Sequence, residues 1–412
     1  MNLQEEKRLI ASGKEKIDWV WRFMPVLQEV EKILISEGTF KDKTIAMSIH
    51  MEAKTANLAL MLKRAGAKVY ATGCNPLSTQ DDVAAALAAE GVTVHARYGV
   101  SAEEYEKDLI ETLRCMPDLF IDDGGDLVNL LHGEAHPFSV RVIGGCEETT
   151  TGISRLVARS EQGKLEFPML AVNNAACKHL FDNHHGTGQS VWDGIMRGTN
   201  VMIAGKCVVV AGYGDCGSGV AKRARGLGAR VVVCEVDAVK AISAVSDGFT
   251  VMPMIEAAEI GDIFVTVTGC KDVLTKEHFD RMKSGAMLSN AGHFNVEINL
   301  DDLAQGVTEI CETRRNIHSY TYENGKVLHL LGVGRLVNLV LGDGHPAEIM
   351  DLSFAVQALA LKHLAETGRD LEPDLYRVPE DVDERISLIK LQSLGMRIDT
   401  LTREQQKYLK SF

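Results

Sequence analysis

The chain is predicted to be an α/β protein with two doubly wound parallel-sheet domains and a small helical C-terminal segment. Its 412 residues are more than one hydrophobic core usually organises, so at least two domains are expected. Short apolar runs alternate with helical patterns through the first half, which indicates a parallel sheet with helices on both faces. The same alternation starts again near the middle of the chain and predicts a second sheet.

Five short apolar runs in the first half are predicted to be strands. In chain order they cover residues 44–49, 68–72, 92–96, 119–122 and 169–172. Most are followed by an amphipathic or alanine-rich stretch, such as residues 79–90, that predicts a helix. Ligands of such sheets bind outside the carboxyl ends of the strands. Polar residues that directly follow a strand are therefore the first candidates for a functional site.

The second half opens with a glycine-rich turn between a predicted strand, residues 206–211, and a predicted small-residue helix, residues 218–228. The turn reads Gly212-Tyr213-Gly214-Asp215-Cys216-Gly217, and a second strand at residues 230–234 ends at Glu235. The glycines allow a tight turn and close approach of a pyrophosphate to the helix N-terminus. Glu235 would accept from a ribose 2′-hydroxyl and repel a 2′-phosphate. The sequence therefore predicts a Rossmann unit that binds NAD rather than NADP.

The composition narrows the class of protein. The chain is 45% hydrophobic and 25% charged, which is ordinary for a globular protein, and its net charge of −13 argues against nucleic acid or an anionic membrane as a partner. Its apolar runs fall short of the roughly 18 residues of a membrane span, and its charged N-terminus does not resemble a signal peptide. Nine scattered cysteines without a C-x-x-C pair predict a reduced, cytoplasmic protein with neither disulfides nor a bound metal.

Six polar clusters lie at or near the ends of predicted strands. They occupy residues 50–55, 122–126, 147–151, 178–183, 290–293 and 342–345. Each alone has a structural explanation, because threonine and aspartate cap helices or form turns and isolated histidines are commonly structural. Together they favour proton transfer around a bound substrate. Lys178 and Asp182 stand four residues apart on one helical stretch, where a desolvated ammonium can be tuned to shuttle a proton.

The ordered motifs resemble those of the S-adenosyl-L-homocysteine hydrolase family over residues 16–407, nearly the whole chain. They are the His50 segment, Ser78-Thr79-Gln80-Asp81, Asp122-Asp123-Gly124-Gly125-Asp126, Glu147-Glu148-Thr149-Thr150-Thr151-Gly152, the mid-chain glycine turn and Gly292-His293-Phe294. The resemblance implies that tightly held NAD oxidises the ribose 3′-hydroxyl of the substrate, which makes the 4′ C–H acidic. Homocysteine then leaves from C5′, water adds, and the ketone is reduced again.

The resemblance also implies roles for individual residues. Lys178 and Asp182 match the pair at the 3′-hydroxyl, and Asp123 matches the base at C4′. His50 and His293 match the acid/base positions at C5′. The implied substrate contacts are Lys54, Thr55, Glu148, Lys178, Asp182, Asp343 and His345. The implied NAD contacts are Thr149, Thr150, Thr151, Asn183, Gly212, Gly214, Asp215, Gly217, Glu235, Lys240, Thr268, Asn290, Gly292 and Asn338.

Two positions depart from the family pattern near the purine. Most members carry a carboxylate or amide where Lys54 stands, and a lysine ammonium can only donate, which suits a 6-oxo purine. Asp343 replaces a methionine and could accept from the N1–H of hypoxanthine. We therefore hypothesise that S-inosyl-L-homocysteine is hydrolysed as well as, or in preference to, the adenosyl compound. In the alternative, Lys54 pairs with Glu52 or Asp343 and adenine is still bound.

The resemblance predicts how the chain divides. Residues 1–185 and 346–380 are expected to form the substrate-binding, catalytic domain, residues 186–345 the Rossmann NAD domain, and residues 381–412 a helical oligomerisation segment. The apolar run 346–367 is expected to return to the first domain as a long helix. The expected partners are a small-molecule substrate and copies of the chain in a homotetramer. Longer relatives extend past residue 412 into a neighbour's NAD site, so weaker cofactor retention is expected here.

Two other classes of protein remain open at this point. A NAD-linked 2-hydroxy-acid dehydrogenase has a similar two-domain architecture, but it needs an arginine clamp beside an acid–histidine pair, and that set was not found. A non-catalytic, NAD-binding regulatory relative is the second alternative. The presence of all five candidate catalytic residues argues against it.

Overall fold

Two largely parallel sheets organise the chain. The computed structural model describes residues 3–411; Met1, Asn2 and Phe412, which belong to the predicted first and last segments, lie outside the described residues. In chain order the strands are β1 (Thr44–Ser48), β2 (Lys68–Thr72), β3 (Thr93–His95), β4 (Leu119–Asp122), β5 (Gly144–Glu147), β6 (Met169–Ala171), β7 (Cys207–Ala211), β8 (Arg230–Cys234), β9 (Thr250–Val251), β10 (Ile263–Thr266), β11 (Ala286–Asn290), β12 (Val307–Arg314), β13 (Ile317–Tyr322), β14 (Val327–Leu331) and β15 (Leu375–Arg377). The predicted α/β class with two sheets is confirmed.

Both sheets are doubly wound. The first has the strand order β15-β6-β5-β4-β1-β2-β3, and its paired strands are parallel. The second has the order β12-β13-β14-β11-β10-β7-β8-β9, with β13 antiparallel to β12 and β14. Strand order reverses beside β1 in one sheet and beside β7 in the other. Such reversals open a crevice at the carboxyl ends of the strands, where ligands bind.

Helices cover the faces of both sheets. In chain order they are α1 (Leu3–Trp21), α2 (Pro25–Glu37), α3 (Ala53–Arg64), α4 (Asp81–Ala89), α5 (Ala102–Leu113), α6 (Asp126–Leu131), α7 (Thr150–Glu161), α8 (Ala176–Lys178), α9 (Thr187–Thr199), α10 (Asp215–Gly226), α11 (Ala238–Ser246), α12 (Met254–Ile260), α13 (Lys276–Arg281), α14 (Leu300–Leu303), α15 (Val337–Val340), α16 (Ala347–Thr367), α17 (Glu380–Ser393) and α18 (Arg403–Leu409). Short 3-10 turns lie at His136–Arg141, Val172–Asn174, Gly332–Gly334 and Gly368–Asp370, and a π-helical turn at His179–Gly186. Within residues 3–411, none of the helices is long and apolar enough to span a membrane.

The long helix α16 returns to the first sheet, as the apolar run 346–367 predicted. It packs against α2, α3 and α17 and against strands β4 and β5, so its middle is buried on every side. The chain then adds β15 beside β6 at the sheet edge. Helix α17 also belongs to this core, where Val382 and Ile386 are buried. The predicted C-terminal segment therefore begins inside a helix that packs on the first unit.

Strand β5 was not predicted, because it holds two glycines instead of an apolar run. A Cβ on Gly145 would lie 2.3 Å from the ring of Phe120, and one on Gly144 would lie 2.7 Å from the carbonyl oxygen of Pro168. The strand is thus specified by close packing and not by hydrophobicity. Its carboxyl end delivers Glu147 and the residues after it to the crevice.

Candidate active site

One large cavity lies where the carboxyl ends of the two sheets face each other. Its volume is about 1520 Å³, and residues from both sheets line it. His50 follows β1, Asp123 follows β4 and Glu148 follows β5, as expected for ligand groups of parallel sheets. The predicted site residues all line this cavity except Gly217, Asn290 and Asp343. The structure thus gathers residues that are up to 295 positions apart in sequence, from His50 to His345.

The three exceptions have distinct positions. A Cβ on Gly217 would lie 2.0 Å from the carbonyl oxygen of Gly212, so this glycine permits helix α10 to pack against the turn. Asn290 is fully buried, and its amide donates to the carbonyl oxygens of Gly292, Phe294 and Gly334, which fixes the loop that carries His293. The role predicted for the Asp343 carboxylate is corrected. That group pairs with Arg197, and the Asp343 side chain is 66% exposed outside the cavity.

The glycine turn after β7 forms a cradle at the N-terminus of helix α10. Gly212 has a φ of +104°, and a Cβ there would lie 2.9 Å from the carbonyl oxygen of Val267. Gly214 has no neighbouring atom within 4 Å of a Cβ position, so space remains in front of the helix N-terminus. Helix α10 begins at Asp215, three residues before the predicted start, because the last turn residues already adopt helical conformation. Glu235 ends β8 beside this cradle and accepts from the Tyr213 N–H at 2.7 Å. These residues fit NAD.

A buried acid–amine cluster lies on the first-sheet side of the cradle. The Lys178 ammonium lies 3.1 Å from Asp182 Oδ1, 2.9 Å from Asn183 Oδ1 and 3.5 Å from Glu148 Oε1. The π-helical turn that starts after Lys178 turns both Asp182 and Asn183 toward the ammonium, although they are neighbours in sequence. Such turns are frequent at functional sites. The lysine and the two acids are each less than 9% exposed.

Opposite charges control protonation in this cluster. Burial alone would lower the pKa of Lys178, but Asp182 and Glu148 raise it above its ordinary value. Burial likewise opposes the charged form of Asp182, yet Lys178 and His345 lower the pKa of that carboxyl. For Glu148, burial prevails over Lys178 and raises the pKa to about 8. Lys178 and Asp182 therefore form an ion pair near neutral pH, while Glu148 holds a proton.

The raised pKa of Glu148 predicts a pH-dependent stability. The folded protein keeps this proton up to about pH 8, whereas the unfolded chain releases it near the ordinary value of 4.5. The stability that Glu148 contributes is therefore complete at low pH and is lost as the pH rises through that window. Replacing Glu148 with glutamine should reduce the fall in Tm between about pH 5 and about pH 9. Glu134→Gln, at an exposed position, is the control, and an unchanged pH dependence in Glu148→Gln would contradict the assignment.

A second cluster joins both sheets at the opposite wall. His50 Nε2 lies 3.5 Å from Asp123 Oδ2, and His293 Nδ1 lies 3.8 Å from Asp123 Oδ1. Burial, together with His345 and Lys54, lowers the pKa of His50 to about 3, so its imidazole is neutral. Burial also lowers the pKa of His293, against the pull of Asp123. Gly124 has a φ of +116°, and a Cβ there would meet His293 Nε2 at 2.4 Å, so glycine is required between these groups.

A third cluster surrounds Lys54 at the start of α3. The ammonium lies 2.7 Å from Glu52 Oε2 and donates to the backbone carbonyl oxygen of Asp343 at 2.6 Å. The Glu52 carboxylate also caps helix α3 by accepting from the N–H groups of Lys54 and Thr55. Both charged side chains are buried and line the cavity. This wall therefore carries a donor and an acceptor side by side.

Three residues complete these clusters although sequence reasoning did not select them. The Ser353 hydroxyl donates to Asp182 Oδ2 at 2.7 Å, and the Gln357 amide donates to Glu148 Oε2. Their sequence signal is a polar pair four residues apart within an otherwise apolar stretch of α16. The Cys74 thiol lies 3.2 Å from both His50 Nδ1 and Asp123 Oδ2. No sequence signal marks this cysteine, since its neighbours in space come from two other strands.

A dinucleotide cradle on one sheet and buried acid–base clusters on the other define an NAD-dependent enzyme. The family model of S-adenosyl-L-homocysteine hydrolase matches residues 5–140, and the model of its NAD-binding domain matches residues 183–344. The chain is 53% identical to the adenosylhomocysteinase of Thermotoga maritima over 401 residues, 97% of this chain and 99% of that one. It is also 53% identical to the S-inosyl-L-homocysteine hydrolase of Methanococcus maripaludis over 409 residues, 99% and 98% of the two chains. The chain belongs to the S-adenosyl-L-homocysteine hydrolase family, and the predictions of the family, of NAD and of a hydrolase acting on thioether bonds are confirmed.

Proposed function

We propose that the enzyme reversibly hydrolyses S-inosyl-L-homocysteine as well as S-adenosyl-L-homocysteine, giving homocysteine and the purine nucleoside. The observation that carries the proposal is the buried pair of Lys54 and Glu52 on the cavity wall. Relatives that carry each of the two names are equally similar to this chain, at 53% identity.

The Lys54–Glu52 pair is complementary to either purine. A lysine ammonium only donates hydrogen bonds and an ionised carboxylate only accepts them. Hypoxanthine presents an acceptor at O6 and a donor at N1–H, while adenine presents a donor at its 6-amino group and an acceptor at N1. Either edge can therefore pair with the two side chains, in opposite order. The carbonyl contact of Lys54 with Asp343 holds the ammonium at this wall.

Lys178 and Asp182 handle the proton of the ribose 3′-hydroxyl in this proposal. Gly212, Gly214 and Glu235 would hold NAD, which supplies, when bound, the oxidant and later the reductant for the 3′-carbon. As the 3′-carbon is oxidised, Lys178 Nζ accepts the 3′-hydroxyl proton and passes one of its own protons to Asp182, 3.1 Å away; the transfers reverse on reduction. Asn183 and Ser353 keep the pair in place. Neutral Glu148 can donate to a ribose hydroxyl, since burial raises its pKa.

Asp123, His50 and His293 carry out the remaining proton transfers. Asp123 is the carboxylate that takes the 4′ proton, because it lies between the two histidines and faces the cavity. His50 is neutral and can accept a proton from the water that attacks C5′. Before that step, the 4′ proton passes from Asp123 through His50 to the departing homocysteine thiolate; afterwards the proton taken from water returns through Asp123 to C4′. Closure of the cavity excludes bulk water from the reactive ketone.

Replacing Lys54 with methionine tests the purine assignment. The value of kcat/KM should fall roughly tenfold or more for both substrates, because each purine loses the charge-assisted hydrogen bond from the ammonium. Hypoxanthine O6 and adenine N1 would then lack their donor, while Glu52 still accepts from the N1–H of one purine and from the 6-amino group of the other. Homocysteine release from both thioethers measures the two values. Lys63→Met, on the exposed end of the same helix, is the matched control.

Two results would overturn the proposal. One is a wild-type enzyme that hydrolyses the adenosyl compound and leaves the inosyl compound untouched. The other is a Lys54→Met enzyme that turns over both substrates with the wild-type kcat/KM.

The proposal includes a cytoplasmic homotetramer with the domain division given above. Its support is a run of apolar side chains that follow α17 and point away from the two cores. Leu394, Met396, Ile398 and Leu401 are each more than half exposed. Exposed apolar residues in series mark a surface that another protein covers. Because the sequence predicts an oligomerisation segment here, we propose that the partner is another copy of the same chain.

A further inference from the structure

The Cys74 thiol has no task in the reaction proposed above. It is 6% exposed and lies between two groups of the second cluster, 3.2 Å from His50 Nδ1 and 3.2 Å from Asp123 Oδ2. Structural cysteines are commonly surrounded by apolar side chains. This one instead contacts an imidazole and a carboxylate that both line the cavity. The surroundings of Cys74 are therefore typical of a side chain that binds a metal ion.

The three side chains have the spacing of a metal site. His50, Cys74 and Asp123 can each direct one donor atom so that all three atoms lie within 4.8 Å of one another. Tetrahedral zinc, with bonds of about 2.0 to 2.3 Å, holds its ligand atoms roughly 3.3 to 3.8 Å apart. The separations of Asp123 Oδ2 from Cys74 Sγ, 3.2 Å, and from His50 Nε2, 3.5 Å, are close to that range. Imidazole, thiolate and carboxylate are a ligand set that zinc accepts.

Neighbouring groups complete such a site. His50 Nδ1 lies 2.8 Å from the Ser78 hydroxyl, which leaves Nε2 directed toward Asp123. Ligating histidines typically hydrogen-bond through their second ring nitrogen in this way. His293 faces the cluster from the other sheet, with its ring centroid 6.0 Å from that of His50. A small movement would therefore bring a His293 nitrogen to the ion as the fourth ligand.

We propose that His50, Cys74 and Asp123, with His293 beside them, bind a divalent transition-metal ion such as Zn²⁺, and that the bound ion inhibits hydrolysis. Cys74 ligates as the thiolate and its proton leaves to solvent, so thiolate and carboxylate together balance the charge of the ion. Inhibition follows because the ion occupies Asp123 and both histidines. The inhibition rests on the roles proposed for these three residues, whereas the binding does not.

The test uses the NAD-loaded enzyme, stripped of metal with a chelator and transferred to a buffer without thiols. Titration with Zn²⁺ in a calorimeter should give one tight site per chain, and Co²⁺ should produce a thiolate-to-cobalt absorption band. Cys74→Ser should abolish the band and weaken Zn²⁺ binding by at least roughly 100-fold. That is the upper end of the loss in metal affinity when only a group that supports a ligand is removed. Cys216→Ser, at the cofactor end of the cavity, and Cys270→Ser, on the surface, should change neither.

The outcomes separate the site from the proposed reaction. A wild-type protein without the cobalt band overturns the site, whether or not the variants fold. A band that persists in Cys74→Ser, or that disappears in Cys216→Ser or Cys270→Ser, overturns it as well. Nucleoside release, followed by chromatography, should fall as Zn²⁺ saturates the site and return on chelation. Full activity with Zn²⁺ bound would leave the site standing and overturn the inhibition and the acid–base roles of its ligands.

Discussion

Replacing Lys178 with methionine is expected to lower kcat by roughly 10²- to 10⁴-fold, the range of a lost general acid–base. The ammonium lies 3.1 Å from Asp182. Glu148 lies 3.5 Å from the ammonium, and His345 Nδ1 lies 3.1 Å from Asp182 Oδ1. The variant should also lose about 3 to 5 kcal/mol of stability, because a buried carboxylate loses its partner. Homocysteine release, thermal unfolding and the NAD content of the purified protein measure the three effects.

A double variant distinguishes catalysis from support of the fold. Lys178→Met/Asp182→Asn removes both charges and should regain most of the lost stability without regaining activity. Lys390→Met is the matched control, since Lys390 pairs with fully buried Asp351 at 3.1 Å and neither residue lines the cavity. It should lose stability and keep kcat. Wild-type kcat in a folded, NAD-containing Lys178→Met protein would contradict the proposed role.

Replacing Gly217 with alanine is expected to remove NAD from the purified enzyme. The added Cβ would lie 2.0 Å from the carbonyl oxygen of Gly212 and 2.7 Å from its carbonyl carbon. Both are backbone atoms, so helix α10 or the glycine turn must shift, at a cost of about 1 to 3 kcal/mol. Because the N-terminus of α10 and the turn form the cradle, the shift should also misplace the pyrophosphate site. Absorbance of the released cofactor and Tm report the two effects.

Gly226→Ala supplies the control on the same helix. A Cβ at Gly226 meets no atom within 4 Å, so alanine there should be neutral or slightly stabilising. NAD content and Tm should match those of the wild type. A Gly217→Ala protein with full NAD occupancy and unchanged Tm would show that the turn tolerates the added atom.

Local sequence signals were sufficient for most of the fold. Alternation of apolar runs and helical patterns predicted both sheets, and the glycine turn predicted the cradle, because each depends on residues that are close in sequence. Strand β5 was missed because Gly144 and Gly145 are specified by contacts with distant elements. The direction of the antiparallel strand β13 was not predicted, because a pattern of apolar residues does not give strand direction.

The site was predictable where a residue follows a strand and not where a distant element supplies it. His50 and Asp123 were selected from their positions after predicted strands, and they line the cavity. Ser353 and Gln357 reach it from α16, which returns after the whole second unit. The orientation of Asp343 depended on Arg197, and the raised pKa of Lys178 depended on two acids that prevail over burial. The outcome of these competing effects depends on the distances between the atoms involved, which a single sequence does not give.

The return of α16 and β15 has a consequence for the order of folding during synthesis. The second sheet is contiguous, from β7 to β14, and its strands are complete once residue 331 has left the ribosome. The first sheet lacks its edge strand and central helix until residue 377 has emerged, although its other strands are made first. We therefore expect the second unit to complete its core before the N-terminal unit does, which leaves part of the N-terminal core uncovered during synthesis. Nascent chains with uncovered apolar surface are prone to aggregation.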